Sequence, residues 1–182
     1  MTTTENTPAT LADLSGTYVI DAAHTRIGFV ARHAMVTKVR GAFNEFEGSA
    51  VVDATDFAKS SAQLTIQANS IDTRQAQRDE HLRSNDFLGM EEYPQITFVS
   101  TSVVKTGPAK ADVKGDLTLL GVTKPAVLHL EVVGISKNNQ GKPLAGFTGT
   151  LDIKRSDFGM TALSGNVGDA VNIILDGEFV GG

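Results

Sequence analysis

The chain has 182 residues, a formal net charge of −5, no cysteine and no tryptophan. This length fits one domain with a full hydrophobic core, and the absence of cysteine excludes disulfides and thiolate sites. The acidic balance argues against a nucleic-acid partner, because there is no surplus of positive charge to attract phosphates. No stretch approaches the run of about 18 apolar residues that crosses a membrane as a helix, so no membrane span is expected.

The N-terminal segment is rich in threonine and has no basic start, no apolar run and no small-residue cleavage site. We therefore expect no secretory signal and a cytoplasmic location. Such a segment has little to bury, so residues 1–15 are predicted to form a flexible tail. Residues 16–182 are predicted to form the domain.

From Tyr18 onward, apolar and polar residues alternate between turn signals, which is typical of half-buried strands. Phe43 and Phe46 have opposite parity, so both can point inward only if a bulge near Asn44–Glu45 shifts the register. Eight or nine such strands leave exposed edges unless the sheet closes. The sequence therefore predicts an all-β protein, an eight-stranded antiparallel up-and-down barrel whose interior is filled by side chains or holds one small ligand.

One segment interrupts the strands with a helical pattern. Asp72 is the predicted N-cap of a short helix over Asp72–Asn85, because Gln75 follows three residues later. Leu82 and Phe87 are expected to turn toward the barrel. Arg78 and His81 lie along one stripe of this helix, where they could hold an anion or simply face solvent.

Motifs for catalysis and metal binding are weak. The chain has no Gly-x-Ser-x-Gly turn and no phosphate-binding loop, so we do not expect an enzyme. Its four histidines have no close spacing typical of metal ligands, so no metal site is expected. His33 shares the inward parity of Phe29, which leaves two interpretations: a polar anchor for a ligand, or an internal histidine bonded to a carbonyl.

The inward-facing phenylalanines also allow two interpretations. They could fill a solid core, or they could line a long apolar pocket with a few polar groups at one end. Periodicity does not separate a packed barrel from a hollow one.

Several segments, in this order and spacing, resemble the YceI-like family over roughly residues 16–180. They are Tyr18-Val19-Ile20-Asp21, His24-Thr25, Gly41-Ala42-Phe43, Ser70-Ile71-Asp72-Thr73, Arg78-Asp79-Glu80-His81-Leu82-Arg83-Ser84, Tyr93-Pro94-Gln95-Ile96-Thr97-Phe98, Gly115-Asp116-Leu117-Thr118-Leu119-Leu120-Gly121 and Arg155-Ser156-Asp157-Phe158-Gly159. The resemblance implies a lipocalin-like eight-stranded barrel with a hydrophobic cavity. It also implies binding of polyisoprenoids and related amphiphiles, including isoprenoid quinones.

The function expected from this resemblance is non-catalytic binding, storage or transport of a long isoprenoid lipid. The lipid would be either a polyprenyl lipid or an isoprenoid quinone. No other cofactor is expected, and a homodimer is compatible with this reading. Alternatives are an enzyme acting on such a lipid and an interaction module with a filled barrel. The residues expected to line the tail pocket are Phe29, Phe43, Leu64, Ile66, Phe87, Phe98, Leu117 and Phe147. Those expected near the head group are His33, Arg78, His81 and Arg155.

The charges around Arg78 bear on the kind of head group. Asp79 and Glu80 lie among the basic residues of the helical segment and partly neutralise any anion site. A neutral or weakly polar head, such as a quinone or a polyprenol, is therefore favoured over a diphosphate, which needs at least two converging cations.

Overall fold

Eleven β-strands form one antiparallel sheet in the computed structural model, which describes residues 10–182. The strands are β1 (Gly16–Ile20), β2 (Arg26–His33), β3 (Thr37–Phe43), β4 (Phe46–Val52), β5 (Ser61–Gln67), β6 (Ile71–Asp72), β7 (Gln95–Gly107), β8 (Lys110–Leu119), β9 (Val122–Lys137), β10 (Pro143–Lys154) and β11 (Val167–Gly181). Hydrogen-bonded neighbours follow the order β1-β4-β5-β7-β8-β9-β10-β11, and β11 pairs with β1 to close the sheet.

Three interruptions reduce these eleven segments to eight barrel strands. A 3-10 turn at Ala22–His24 divides β1 from β2, and both segments pair with β11. Asn44–Glu45 divides β3 from β4, and a second 3-10 turn, Ala68–Ser70, divides β5 from β6. The predicted eight-stranded antiparallel barrel is confirmed. The break at Asn44–Glu45 also lets Phe43 and Phe46 both pack against the core, as their parity requires.

The only α-helix among residues 10–182 is α1 (Ala76–Arg83), which follows β6. It begins four residues later than predicted, so the assignment of Asp72 as its N-cap is wrong. The Asp72 carboxylate instead accepts the Arg74 N–H at 2.9 Å, and Arg74 has a left-handed φ of 67°. That conformation separates Asp72 from the helix, and the Gln75 side chain caps it by accepting the Arg78 N–H.

The two ends of the barrel are built differently. One end carries the β2–β3, β8–β9 and β10–β11 turns, together with α1 and residues 84–94. At the other end Leu11 and Leu14 are buried beside Tyr18, and the Leu11 N–H donates to the Pro108 carbonyl at 2.9 Å. The prediction of a tail is therefore wrong for residues 10–15, because these two leucines bury apolar surface. The rest of that prediction, residues 1–9, lies outside the described residues.

Within residues 10–182, no helix has the length and hydrophobicity needed to cross a membrane.

Candidate functional site

A cavity of about 190 Å³ lies inside the barrel. It is bounded by the inward-facing rows of the strands, since successive side chains of a strand point to opposite faces. Many of these side chains keep partial exposure although they point into the barrel, because they face the cavity. Four lining residues are polar, and all the others are apolar. The four are Ser49, Gln63, Thr97 and Arg155.

Seven of the eight residues predicted for the tail pocket line this cavity. They reach it from β2, β3, β5, β7, β8 and the segment after α1, and strand alternation is the signal that identified most of them. The rings of two of them, Phe29 and Phe43, lie 5.8 Å apart between centroids. The seven are Phe29, Phe43, Leu64, Ile66, Phe87, Phe98 and Leu117.

The eighth residue, Phe147, lines a second and smaller cavity of about 100 Å³ instead. This cavity lies toward the end closed by Leu11 and Leu14 and includes Tyr18, whose pKa is raised by burial. Phe179 lines both cavities, and its ring stacks on Phe147 with centroids 4.4 Å apart. The stacked pair therefore stands between the two chambers.

The segment around α1 fills the gap where β6 separates from β7. Leu82, Phe87 and Leu88 line the main cavity, so the expected inward orientation of Leu82 and Phe87 is confirmed. A buried carboxylate anchors the start of this helix. Asp79 accepts the Thr73 N–H at 2.9 Å and also the Thr73 hydroxyl.

Arg78 stabilises the same connection between Thr73 and α1. Its Nε donates to the Thr73 Oγ1 and its Nη2 donates to the Thr73 carbonyl, both at 2.7 Å. The Arg78 guanidinium is thus engaged in holding β6 to α1, and it does not line the cavity.

Among residues 10–182, Arg155 is the one charged residue that lines the main cavity. Its side chain is 3% exposed and donates to three backbone carbonyls, those of Gly168 at 3.1 Å and of Met160 and Val167 at 3.0 Å. No carboxylate among residues 10–182 forms an ion pair with it. A guanidinium has five N–H donors, so one on each terminal nitrogen is left after these three bonds.

Phe87 packs against this cation, with the Arg155 guanidinium carbon 5.9 Å from its ring centroid. The 3-10 turn Arg155–Phe158 follows β10 directly, so the strand and the turn together fix the position of the guanidinium. Asp169 lies nearby, and its pKa is lowered mainly by the hydroxyl and N–H of Ser156 and to a smaller extent by the charge of Arg155.

The two histidines predicted near the head group lie elsewhere. His33 is exposed at the end of β2, two residues beyond Ala31, which is the last residue of that strand to line the cavity. The His81 Nε2 is 2.8 Å from an oxygen of Asp86. The structure therefore does not bring His33, Arg78, His81 and Arg155 together, and only Arg155 reaches the cavity.

A cluster of three ionisable side chains lies where β11 meets the turn between β1 and β2, and sequence spacing could not reveal it. Single ligand atoms from Asp21, His24 and Glu178 lie within 4.8 Å of one another. The His24 Nδ1 is 2.7 Å from Asp21, and this hydrogen bond is the main cause that raises the pKa of His24 and lowers that of Asp21. His24 is exposed and Asp21 is half-buried, and the pair serves to hold the turn between β1 and β2.

A closed eight-stranded antiparallel sheet around an apolar cavity defines a lipocalin-like barrel. The chain belongs to the YceI-like domain family, whose sequence model matches residues 18–179. A UPF0312 protein of Vibrio cholerae is 40% identical over 148 residues, which are 80% of this chain and 78% of the relative.

Two solved structures extend the comparison. BcnA of Burkholderia cenocepacia is 28% identical with a TM-score of 0.77, over 90% of this chain and 99% of that one. A polyisoprenoid-binding domain from Saccharophagus degradans, implicated in plant cell wall breakdown, has a TM-score of 0.71 over 91% of this chain and 98% of that one. The second protein is 19% identical, so the likeness shows a shared fold.

Proposed function

We propose that this protein binds a long isoprenoid lipid in the barrel, without transforming it, for storage or transport. The observation that carries the proposal is the lining of the main cavity, which is apolar apart from four residues. Burial of an apolar tail there contributes about 25 cal/mol per Å² of area removed from water, less the cost of ordering the tail. The polyisoprenoid-binding neighbour of the same fold supports this ligand class.

The lining also supports binding without catalysis. In the part of the chain that the structure describes, it contains no carboxylate, histidine, lysine or tyrosine, the usual groups for proton transfer. Its two hydroxyl residues, Ser49 and Thr97, form no hydrogen bond with a general base among residues 10–182. The presence of the cavity favours a ligand-binding barrel over an interaction module with a filled interior.

Arg155 is the head-group residue in this proposal. Its two remaining N–H donors would have to turn toward the cavity to bind one or two accepting oxygens, as on a quinone or a polyprenol. A diphosphate would need a second converging cation, and no other cation among residues 10–182 lines the cavity. We therefore favour a neutral or weakly polar head.

The direct test is organic extraction of the purified protein followed by mass spectrometry, then titration of the stripped protein with a long-tailed quinone and a polyprenol. Ile173 and Ile174 give a matched pair of variants, because Ile173 lines the cavity and Ile174 faces solvent. Ile173→Gln should weaken binding about five-fold or more, because an amide without a partner in an apolar site costs about 1–3 kcal/mol. Ile174→Gln should bind like the natural chain. Failure of every isoprenoid to bind would contradict the proposal.

The head-group assignment has its own test. Arg155→Lys keeps the charge but loses the planar fork, whereas Arg155→Met loses both. We expect both variants to reduce the preference for a quinone over a plain isoprenoid hydrocarbon. Circular dichroism separates loss of folding from loss of preference. If a folded variant kept the same preference for the quinone, Arg155 would not be the residue that binds the head group.

A further inference from the structure

The turn between β2 and β3 exposes apolar side chains at the end of the barrel that carries α1. Met35 is 71% exposed and Val36 is 80% exposed, the two highest values among the exposed large hydrophobic residues of 10–182. Leu163, from the loop before β11, is 49% exposed. The two loops are joined, because the Ala34 N–H donates to the Asn166 carbonyl.

The backbone of this turn is conformationally costly. Ala34 and Met35 both have left-handed φ values, 50° and 58°. Asn and Gly are the residues that usually occupy such positions in a hairpin, since other side chains are disfavoured there. An exposed methionine held in this conformation gains nothing from burial within its own chain, and strain of this kind concentrates at functional positions.

Positive charge surrounds the exposed side chains. Between Asp21 and Glu45 the sequence has four cations and no carboxylate, although the whole chain has a formal charge of −5. Three of the cations, Arg32, Lys38 and Arg40, line a groove on the outer face of the barrel together with Met35. Within residues 10–182 none of the three forms an ion pair.

Two carboxylates line the same groove from the side of β10 and β11. Asp152 accepts a hydrogen bond from the Asn172 amide at 2.6 Å, and Asp169 accepts two from Ser156. The groove therefore carries three cations against two anions, and the cations lie on the hairpin that bears Met35 and Val36.

We propose that this hairpin docks on the surface of an anionic lipid bilayer. Exposed apolar side chains beside Lys and Arg are the combination that enters the interface of such a membrane, apolar groups below the head groups and cations among them. The turn begins three residues beyond Ala31, about 10 Å at 3.3 Å per residue. Docking would therefore bring the end of the barrel that carries α1 and Arg155 to the membrane. The inference goes beyond the proposed function, because docking does not require a bound lipid.

Vesicle binding tests the proposal with a probe that the chain itself makes possible. Because the sequence has no tryptophan, Met35→Trp places a single fluorescent reporter at the turn. We expect its emission to shift to shorter wavelength with vesicles containing phosphatidylglycerol and to stay unchanged with pure phosphatidylcholine. Val133→Trp is the matched control, since Val133 is 60% exposed on β9, away from the hairpin. Its emission should not shift with either vesicle.

Co-sedimentation of the protein with vesicles measures the two components separately. Lys38→Ala and Arg40→Ala should each weaken binding about five-fold, the equivalent of about 1 kcal/mol per cation at an anionic surface. Binding should fall as salt rises, because the attraction is screened. Met35→Ser with Val36→Ser should weaken it further, and Val133→Ser should not.

Three results would overturn the proposal: no binding to anionic vesicles, equal binding to neutral ones, or equal shifts for the two tryptophan reporters. A dimer that dissociates on Met35→Ser would instead assign the surface to a second copy of the chain. Docking and lipid loading fail separately, because a protein that docks but takes up no isoprenoid contradicts only the proposed function.

Discussion

The rings of Phe147 and Phe179 stack with their centroids 4.4 Å apart and an angle of 29° between their planes. Phe147 belongs to β10 and is 1% exposed, whereas Phe179 belongs to β11 and lines both cavities. The boundary between the chambers therefore includes a pair of aromatic side chains from neighbouring strands, beside Ala62, Leu128 and Leu175, which also line both cavities. Phe179 can be shortened without removing the ring of Phe147, which is the more deeply buried of the two.

Phe179→Ala should join the two cavities and lengthen the preferred isoprenoid tail. The removed ring leaves space that reaches from the main cavity toward Leu14. Competition among polyprenols of increasing length measures the preference. Phe98→Ala is the control, because Phe98 lines the main cavity alone and its loss should change affinity without extending the tail. An unchanged length preference in the Phe179 variant would show that the stack does not limit the ligand.

Gly115→Ala should destabilise the barrel. A Cβ there would lie 2.6 Å from the Phe98 ring and 2.6 Å from the Val99 carbonyl oxygen, and the backbone oxygen has little room to move. Overpacking of this kind costs about 1–3 kcal/mol of unfolding free energy. Gly134→Ala is the matched control on β9, because nothing lies within 4 Å of its added Cβ. Urea denaturation compares the two, and equal midpoints would contradict the steric argument.

Asp79→Ala should cost about 1–3 kcal/mol of unfolding free energy, because it leaves the buried Thr73 N–H without its acceptor. The start of α1 should also become more mobile, which hydrogen exchange of the helix would report. Glu80→Ala tests the neighbouring carboxylate, which is exposed, and should leave stability within about 0.5 kcal/mol. If the two variants were equally stable, Asp79 would not anchor the helix.

The pair of His24 and Asp21 should give the β1–β2 turn a pH dependence. The raised pKa of His24 means that its contribution is full below the ordinary value of 6.5 and is lost as pH rises through the higher folded value. The lowered pKa of Asp21 means that its contribution is full above the ordinary value of 3.8 and is lost as pH falls through the lower folded value. The pair is therefore strongest between these limits.

NMR titration of the His24 ring measures this effect. Asp21→Asn should bring the His24 pKa back toward 6.5, because it removes the negative charge and leaves only a weaker, neutral hydrogen-bond acceptor in its place. Asp53→Asn, at a carboxylate outside this pair, should leave the titration unchanged. A His24 pKa that ignores Asp21→Asn would contradict the assigned cause.

The sequence was informative wherever local periodicity decides the structure. Leu64, Ile66 and Phe98 were assigned to the interior by strand alternation, and all three line the cavity. Alternation could not show that Phe147 lines the smaller cavity and not the main one, because the depth of a residue along the barrel axis depends on how strands are staggered. A cytoplasmic location and a homodimer stay predictions.

Contacts between distant segments were beyond local patterns. The three carbonyls that receive Arg155 become neighbours only when the chain after β10 turns back into β11. The late start of α1 follows from the left-handed Arg74, which has no marker in the sequence such as glycine. Leu11 and Leu14 are the only large apolar residues of segment 10–15, too few to indicate burial by themselves.

The placement of Leu11 and Leu14 has a consequence for how a ligand of the proposed kind would enter and leave the cavity. Leu11 and Leu14 cover the end of the barrel opposite α1. The interior is therefore a cavity closed at that end, and it is not a channel through the barrel. If the protein binds a lipid as proposed, with the tail toward Leu11 and Leu14, the lipid would have to leave by the end through which it entered. A donor and a recipient of the lipid would then bind the same end of the barrel. Their binding is therefore expected to be mutually exclusive, so that the donor dissociates before the recipient binds.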